Sequence, residues 1–485
     1  MAKPLKRFIK STQQFLAMKT DRRKFLKTSG LTGIGLAGAG MIRSYSAINN
    51  NAEKTKTHHQ HFNMCGYAAP KLETVRIGFI GLGNRGPTHV DAMKHIEGVK
   101  IKALCDIQPG KVDAVKTSLE GSVHNPATYT DKEDAWKKLC EQSDIDAVYI
   151  ATPWSLHTPM AVYAMEHGKH AFIEVPAAKT LDECWQLVET SESTRKHCMI
   201  LENCCYDFFE LLTLNMVRQG LLGDITHGEG AYIHYLLEGN FSKEKYYDMW
   251  RLKENFRNGN LYPTHGLGPV AQVMNINRGE KMEQLISMQS ADFMMRKMAN
   301  ELAAKDDFYK PYANKTFRGN MNTSVISTSN GRTIKLQHDV TSPNIYSRIY
   351  KISGTKGSAL KYPLPGKFAL GNEEDWLSDT QSSELENKYQ PAIVKKIGET
   401  AKEVGGHGGM DFLMNWRTID CLRNGLPLDI DVYDAALWSA IAPLTEWSVA
   451  NKSKPIDVPD FTSGSWKTNQ PVDIMLEKGA TTRVV

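Results

Sequence analysis

The sequence predicts an α/β protein in two parts: an N-terminal doubly wound parallel sheet, and a C-terminal α+β domain built on a large, mostly antiparallel sheet. Three observations carry this. Between residues 72 and 203, short apolar runs alternate with amphipathic ones, the texture of strands buried on both faces and joined by crossover helices. After residue 203 the runs become β-rich and closely spaced, as antiparallel strands are. At 485 residues, with 41% hydrophobic and 23% charged side chains, the chain has the size of a multidomain protein and the composition of a globular one.

Taken in order, residues 1–47 read as an export signal. "TDRRKFLKTSGLTGIGLAGAGMI" sets Arg22 and Arg23 ahead of Phe25, Leu26 and Lys27. A Gly/Ala/Leu run of about 15 residues follows, too short to span a bilayer comfortably, and small residues surround Ser44 and Ala47. The pattern resembles a twin-arginine signal, with Asp21 where Ser or Thr is usual. It implies a periplasmic protein, exported folded with a cofactor already bound, and no membrane span in the mature chain. Residues 48–71 have no apolar period and read as a linker.

The first domain, 72–203, opens with "VRIGFIGLGNRG", a buried strand running into Gly81, Gly83 and Gly86 ahead of the helical "THVDAMKHIEG". In a strand–turn–helix of this kind the first Gly permits the turn, the second admits a pyrophosphate, and the third lets helix and strand pack. The helix N-terminus then faces the phosphates. "VKIKALCD" is a second strand, and Asp106 ends it 25 residues after Gly81. A carboxylate there accepts from both ribose hydroxyls and repels a 2′-phosphate, so the expected cofactor is NAD on a Rossmann sheet. The alternation continues through "DAWKKLCEQ" (helix), "IDAVYIATP" (strand), "TPMAVYAMEHG" (helix), "KHAFIEV" (strand), a helix opened by a Thr180–Glu183 capping box, and "HCMILEN" (strand).

The second domain, 204–485, carries the β-rich segments "THGEGAYIHYLLEG", "MEQLISMQSADF", "NTSVISTSN", "RTIKLQHDVTS" and "YSRIYKISGTKGSALKY", and ends on the helical "GMDFLMNWRTIDCLRNG" and "DVYDAALWSAIAPLTEWSVAN". A net charge of +5 without a dense basic patch argues against a nucleic-acid partner. Eight cysteines form no CxxC pair and no regular disulfide spacing, so they read as buried thiols, and no metal is expected.

These residues resemble the glucose–fructose oxidoreductase / inositol dehydrogenase superfamily, through "GFIGLGNRG", Asp106, "ATPWSLH", the strand end at Glu174–Pro176 and the "HGGMDF…DVYDAALWSAI" tail. Within it, "GNRG", "ATPWSLH", "EVPAA", "LEN", "MWR" and "NLYPTHGLGP" resemble glycoside hydrolase family 109, NAD-dependent α-N-acetylgalactosaminidases. The resemblance implies that Asn84 and Arg85 line the dinucleotide loop and Asp106 holds the ribose. Trp154, Ser155, Leu156 and His157 would wrap the nicotinamide half, and Glu174, Val175 and Asn203 would close the cofactor site. Tyr232, Arg251, Tyr262, His265 and Tyr346 would face the sugar. The cofactor group also sits where ligands bind in such sheets, at the carboxyl ends of the strands. His407 is read as the start of a helix and left out of the catalytic set.

One departure decides the chemistry. Related sugar dehydrogenases carry Glu-Lys-Pro at the strand end, and the Lys moves a proton; here "FIEVPAAKT" has Val175, which cannot. A redox-neutral route is therefore expected, acting on a glycan or glycoconjugate with terminal α-linked N-acetylgalactosamine. A hydride leaves C3 for NAD, the ketone acidifies the C2 hydrogen, the glycosidic oxygen is eliminated from C1, water adds, and the hydride returns. This differs from the two-carboxylate route of most glycosidases. His265 is the expected acid–base group, with Tyr262 assisting. Two alternatives stay open: an NAD-linked sugar dehydrogenase with a displaced lysine, Lys179, and a non-catalytic exported nucleotide- or sugar-binding protein. By family analogy a homodimer is expected.

Overall fold

The computed structural model describes residues 58–130, 132–372, 374–474, 476 and 478–485. The export signal and residues 48–57 of the expected linker lie outside them.

Six strands form the first sheet: β1 (Val75–Ile80), β2 (Val99–Cys105), β3 (Ala127–Tyr129), β4 (Ala147–Ile150), β5 (His170–Ile173) and β6 (Cys198–Ile200). They run parallel in the order β3-β2-β1-β4-β5-β6. Every residue of β4, β5 and β6 is buried, which is why these segments read as unbroken apolar runs rather than alternating ones. Strand order reverses between β1 and β4, and that switch point is where an open α/β sheet leaves a ligand crevice. Helices α1 (Gly86–Met93), α2 (Pro109–Ser118), α3 (Ala135–Cys140), α4 (His157–Glu166) and α5 (Leu181–Thr194) are the crossovers. The predicted capping box is present: the Glu183 backbone N–H donates to Thr180 Oγ1 at 3.1 Å, and Glu183 Oε2 accepts from the Thr180 N–H at 3.1 Å. Such a cap contributes about 1 kcal/mol.

The second sheet has eight strands: β7 (Ile225–Ile233), β8 (Met282–Gln289), β9 (Asn322–Thr328), β10 (Thr333–Asp339), β11 (Tyr350–Gly354), β12 (Gly357–Lys361), β13 (Lys367–Leu370) and β14 (Ile456–Asp457). Their order is β13-β12-β11-β7-β10-β9-β8-β14, antiparallel except for the β7–β10 pair. Burial alternates along β9 and β10, so one face is packed and the other open. The helices Thr264–Val273 and Val432–Ala450 cover the packed face. The open face exposes Ile286, Met288 and Val325.

Two expected boundaries shift. Residues 58–71 are not a linker. Met64 is buried in the core, its N–H donates to the Tyr433 hydroxyl at 3.1 Å, and Glu192 accepts from the His61 N–H at 3.0 Å. These polar anchors leave no hydrophobic period in the sequence. Nor does residue 203 separate two compact bodies, since 57–485 form one unit. The helix Met410–Asn424 packs on β1 and α1, the helix Val432–Ala450 on α5 and β6, and Ile96 bridges to Val484. The late helices complete the layers of the first sheet.

Candidate active site

A cavity of about 940 Å³ opens at the carboxyl ends of β1, β2, β4 and β5 and runs to the packed face of the second sheet. Its dinucleotide end is formed by Gly81, Gly83, Asn84, Arg85 and Asp106. Gly81 takes φ +89°, and a Cβ there would lie 2.6 Å from the Ala151 carbonyl oxygen. A Cβ on Gly83 would meet nothing within 4 Å, so this position faces open space that a pyrophosphate can occupy. Gly86 does not line the cavity; a Cβ there would collide with the Gly81 carbonyl, which makes it the packing glycine of the motif. Asp106 Oδ2 accepts from the Leu82 N–H at 2.6 Å and Oδ1 from the Gln108 N–H at 2.9 Å, so this carboxylate fixes the glycine loop. Within the described residues the cradle fits a dinucleotide.

Beyond the ends of β4, β5 and β6, Trp154, Ser155, Leu156, His157, Glu174, Val175 and Asn203 all line the wall. His157 is a strut: its Nδ1 lies 2.7 Å from the Pro176 carbonyl oxygen and its Nε2 2.7 Å from that of Thr152, tying the ends of β4 and β5 together. Glu174 Oε1 accepts from Arg85 Nε at 2.8 Å and lies 2.8 Å from His89 Nε2. Burial pushes this carboxyl up, but the Arg85 guanidinium and His89 outweigh it and hold the group ionised, well below the usual carboxylate range. Lys179, the candidate displaced lysine, does not line the cavity. Its Nζ donates to Glu254 Oε1 at 2.6 Å.

The end of the cavity against the second sheet is built by close packing. The helix Thr264–Val273 approaches β7 so tightly that a Cβ on Gly266 would lie 2.7 Å from the Gly230 carbonyl carbon. His265, just before this contact, therefore meets Tyr232, just beyond it, with ring centroids 5.4 Å apart. A Cβ on Gly268 would lie 2.9 Å from Glu202 Cγ, so that glycine makes room for Glu202 beneath the histidine. Glu202 Oε1 is 2.7 Å from His265 Nδ1 and also accepts from the Cys204 N–H at 3.1 Å. The carboxylate is fully buried. Burial raises it, and the His265 imidazole more than reverses the effect, so it sits below the ordinary glutamate value. Cys204 Sγ joins these two groups within 4.8 Å, but Arg348 Nη1 lies 3.2 Å from that sulfur and opposes a further cation there.

Tyr262 stacks on Trp154 at 5.7 Å and 28°, and lies 4.6 Å from Tyr232 and 4.9 Å from His265. Burial drives its hydroxyl well above the usual phenol value, so it is a neutral donor and acceptor. The Arg251 guanidinium sits 5.2–5.9 Å from the rings of Tyr262, Trp154, Tyr246 and Trp250 and has no carboxylate partner among the described residues. Of the predicted sugar residues only Tyr346 is off the wall. It stands behind Tyr232 and His234, at 6.4 and 5.2 Å.

Three groups escaped the sequence reading. Glu202 entered the sequence reading only inside the "LEN" motif, with no role of its own. His234 lines the cavity with its Nδ1 2.9 Å from the Tyr232 hydroxyl, and burial followed by the charge of Arg251 lowers its pKa. His407 does start a helical turn, as read, yet it lines the cavity with its Nδ1 2.8 Å from Asp411 Oδ2. Its signal was the flanking "GG…GG", four glycines that all take positive φ.

A doubly wound sheet with a dinucleotide crevice, opening onto a pocket of imidazoles, phenols and an aromatic-caged arginine, defines an NAD-dependent enzyme acting on a polar substrate. The chain belongs to glycosyl hydrolase family 109. Residues 206–468 match the family's C-terminal domain, and residues 75–202 match the NAD-binding Rossmann fold of an oxidoreductase family. It is 49% identical to glycosyl hydrolase family 109 protein 1 of Phocaeicola vulgatus, over 82% of this chain and 86% of the relative. It is 44% identical to an alpha-N-acetylgalactosaminidase of Shewanella oneidensis, over 94% of this chain and 98% of the relative. Among solved structures, levoglucosan dehydrogenase in complex with NADH superposes with a TM-score of 0.60 at 16% identity, over 80% of this chain and 100% of that one. Scyllo-inositol dehydrogenase of Lactobacillus casei gives 0.55 at 17% with the same coverage. At these identities the likeness is one of fold.

Proposed function

We propose that the enzyme removes terminal α-linked N-acetylgalactosamine from glycans or glycoconjugates by transient oxidation at C3 with NAD retained. The observation that carries this is His265 on the wall of the cavity that also holds the dinucleotide crevice, backed by buried Glu202 at 2.7 Å, with apolar Val175 where a proton-carrying lysine would serve net oxidation. The S. oneidensis relative supports the choice of sugar. NAD, when bound, accepts a hydride from the substrate and gives it back, so turnover is hydrolysis without net redox change.

The chain's own groups move the protons. Glu202 fixes His265 through Nδ1, leaving Nε2 for the cavity, where it takes the C2 proton made acidic by a C3 ketone. Tyr262 hydrogen-bonds the oxygen at C3, and the hydroxyl proton that leaves with the hydride passes to the Tyr232–His234 pair, 2.9 Å apart, and comes back when the hydride returns; Arg251 holds substrate oxygens. His407, another imidazole on the wall, supplies the proton that the departing glycosidic oxygen needs. Water then adds at C1 and the proton returns to C2. The open face carrying Ile286, Met288 and Val325 supports a homodimer, which sedimentation would read.

The test is nitrophenyl α-N-acetylgalactosaminide with no added NAD, in D₂O. Nitrophenol without a rise in NADH absorbance, and deuterium at C2 of the released sugar, are expected. Accumulating NADH would mark a dehydrogenase, no reaction a binding protein, and a C2–H left intact after full turnover would eliminate the oxidative route.

A further inference from the structure

Residues 405–409 form a Gly-Gly-His-Gly-Gly loop in which all five take positive φ and His407 lines the cavity. Short backbone bonds close the turn, from the Gly409 N–H to Gly406 O at 3.0 Å and from the Asp411 N–H to Gly406 O at 3.2 Å. Four of its five residues have no side chain, so the polar side-chain anchor of this loop is His407 alone. That imidazole is itself half exposed, and the groups it touches are Asp411 Oδ2 at 2.8 Å and Arg85 Nη1 at 3.3 Å.

Asp411 is fully buried and shared. Its carboxylate accepts from Arg85 Nη1 at 2.9 Å and Nη2 at 3.2 Å, from Asn203 Nδ2 at 2.5 Å, and lies against His407. Arg85 belongs to the dinucleotide loop. It is the N-cap residue of α1, next to Gly86, and its Nε is held by Glu174. The planar guanidinium thus spans two carboxylates, one from the first sheet and one from the late helix Met410–Asn424. A glycine loop with one anchor follows whatever orients that anchor.

We infer that Asp411 is a positioning residue that couples the dinucleotide loop to His407, so that a bound dinucleotide, by fixing the loop that carries Arg85, holds His407 against the sugar pocket. This rests on reading the cavity as a joint dinucleotide and sugar site. Chemistry then waits for the cofactor, because one of the two imidazoles is presented only when Arg85 is in place. Neither Arg85 nor Asp411 has to touch the sugar for this.

The experiment is hydrogen exchange by mass spectrometry on the full chain, with NAD bound and after charcoal stripping, following the peptide over 404–410. Nucleotide content is checked by extraction. In the parent, stripping should speed exchange in this peptide by roughly tenfold, the scale of one lost charge-assisted hydrogen bond. Asp411→Asn should show the fast exchange even with NAD bound and respond little to stripping. Arg85→Gln breaks the same link from the other side and should behave alike if Asp411→Asn does not fold. Equal protection of the loop with and without NAD in the parent overturns the coupling. So does an Asp411→Asn or Arg85→Gln loop that still tightens on binding NAD. A chain that takes up no NAD overturns the underlying reading as well.

Discussion

Glu202→Gln is the most informative single change, because it removes a charge from beneath His265 and leaves the shape. Glu202 does not line the cavity, and its Oε1 meets His265 Nδ1 at 2.7 Å. While the imidazole is neutral, an amide oxygen can still accept from Nδ1–H, so the tautomer survives. The loss comes when His265 takes a proton and its positive charge is no longer opposed. A unit charge pair about 4 Å apart interacts by about 4 kcal/mol at an effective dielectric near 20. If half to all of that is realised in the transition state, kcat should fall roughly 30- to 1000-fold. KM and bound NAD should change little. The amide also adds a buried N–H₂ where Oε2 now has no hydrogen-bond partner, which costs about 1–3 kcal/mol of stability and is read separately by urea unfolding. The assay is kcat on the nitrophenyl glycoside with unfolding and nucleotide content measured on the same preparation. A folded, NAD-loaded Glu202→Gln enzyme turning over at the parental rate would refute the pairing as a catalytic device.

Asp106→Ala should weaken NAD binding by roughly 10- to 150-fold, the equivalent of a charge-assisted hydrogen bond of about 1.5–3 kcal/mol. Retention through dialysis equal to the parent's would contradict the ribose assignment. Glu210 carries a pH signature: burial first, then the neighbouring Asp207 carboxylate, push its pKa from 4.5 up to about 8. An acid that holds its proton more tightly when folded stabilises the fold fully below about 4.5 and loses that contribution as pH rises to about 8. Urea midpoints of the parent should therefore fall relative to those of Glu210→Gln between these limits, and parallel curves would sink the assignment. Replacing Arg22 and Arg23 with Lys should leave the protein folded in the cytoplasm, whereas periplasmic recovery at parental levels would show the signal misread.

The first sheet was legible because its physics is local. Strands buried on both faces give continuous apolar runs, and four of the five crossover helices announce themselves, down to the Thr180–Glu183 cap; α2, which buries Val112 and Val115, was not read. β3 escaped because it is three partly exposed residues with no period to read. The cofactor end of the site was equally readable, since one turn fixes Gly81, Gly83 and Gly86 together. His265 and Tyr262 were named through the family resemblance, but the carboxylates behind the two imidazoles, Glu202 and Asp411, were not read. Glu202 acquires its role from a contact 63 residues away that exists only because Gly268 leaves space. Asp411 reaches Arg85 across 326 residues. A helix-start reading of His407 was correct locally and silent about which wall that start faces.

The valine at the end of β5 now has a physical counterpart. Where a lysine at this position would put a mobile proton beside the nicotinamide, Val175 is buried and its neighbour Glu174 is already neutralised by Arg85 and His89. At this strand end the first sheet therefore offers the crevice a closed charge arrangement. His265 and His407 stand instead on elements that follow β6. His265 is rooted at the start of a helix by Glu202, and His407 is carried by a glycine loop and held through Asp411. On the proposed route, hydride transfer and proton transfer would draw on different parts of the chain. An enzyme that returned its hydride would gain from this separation, with the cofactor against the first-sheet wall and His265 and His407 reaching the cavity from the later elements. The Arg85–Asp411 bridge is the point where those two halves touch.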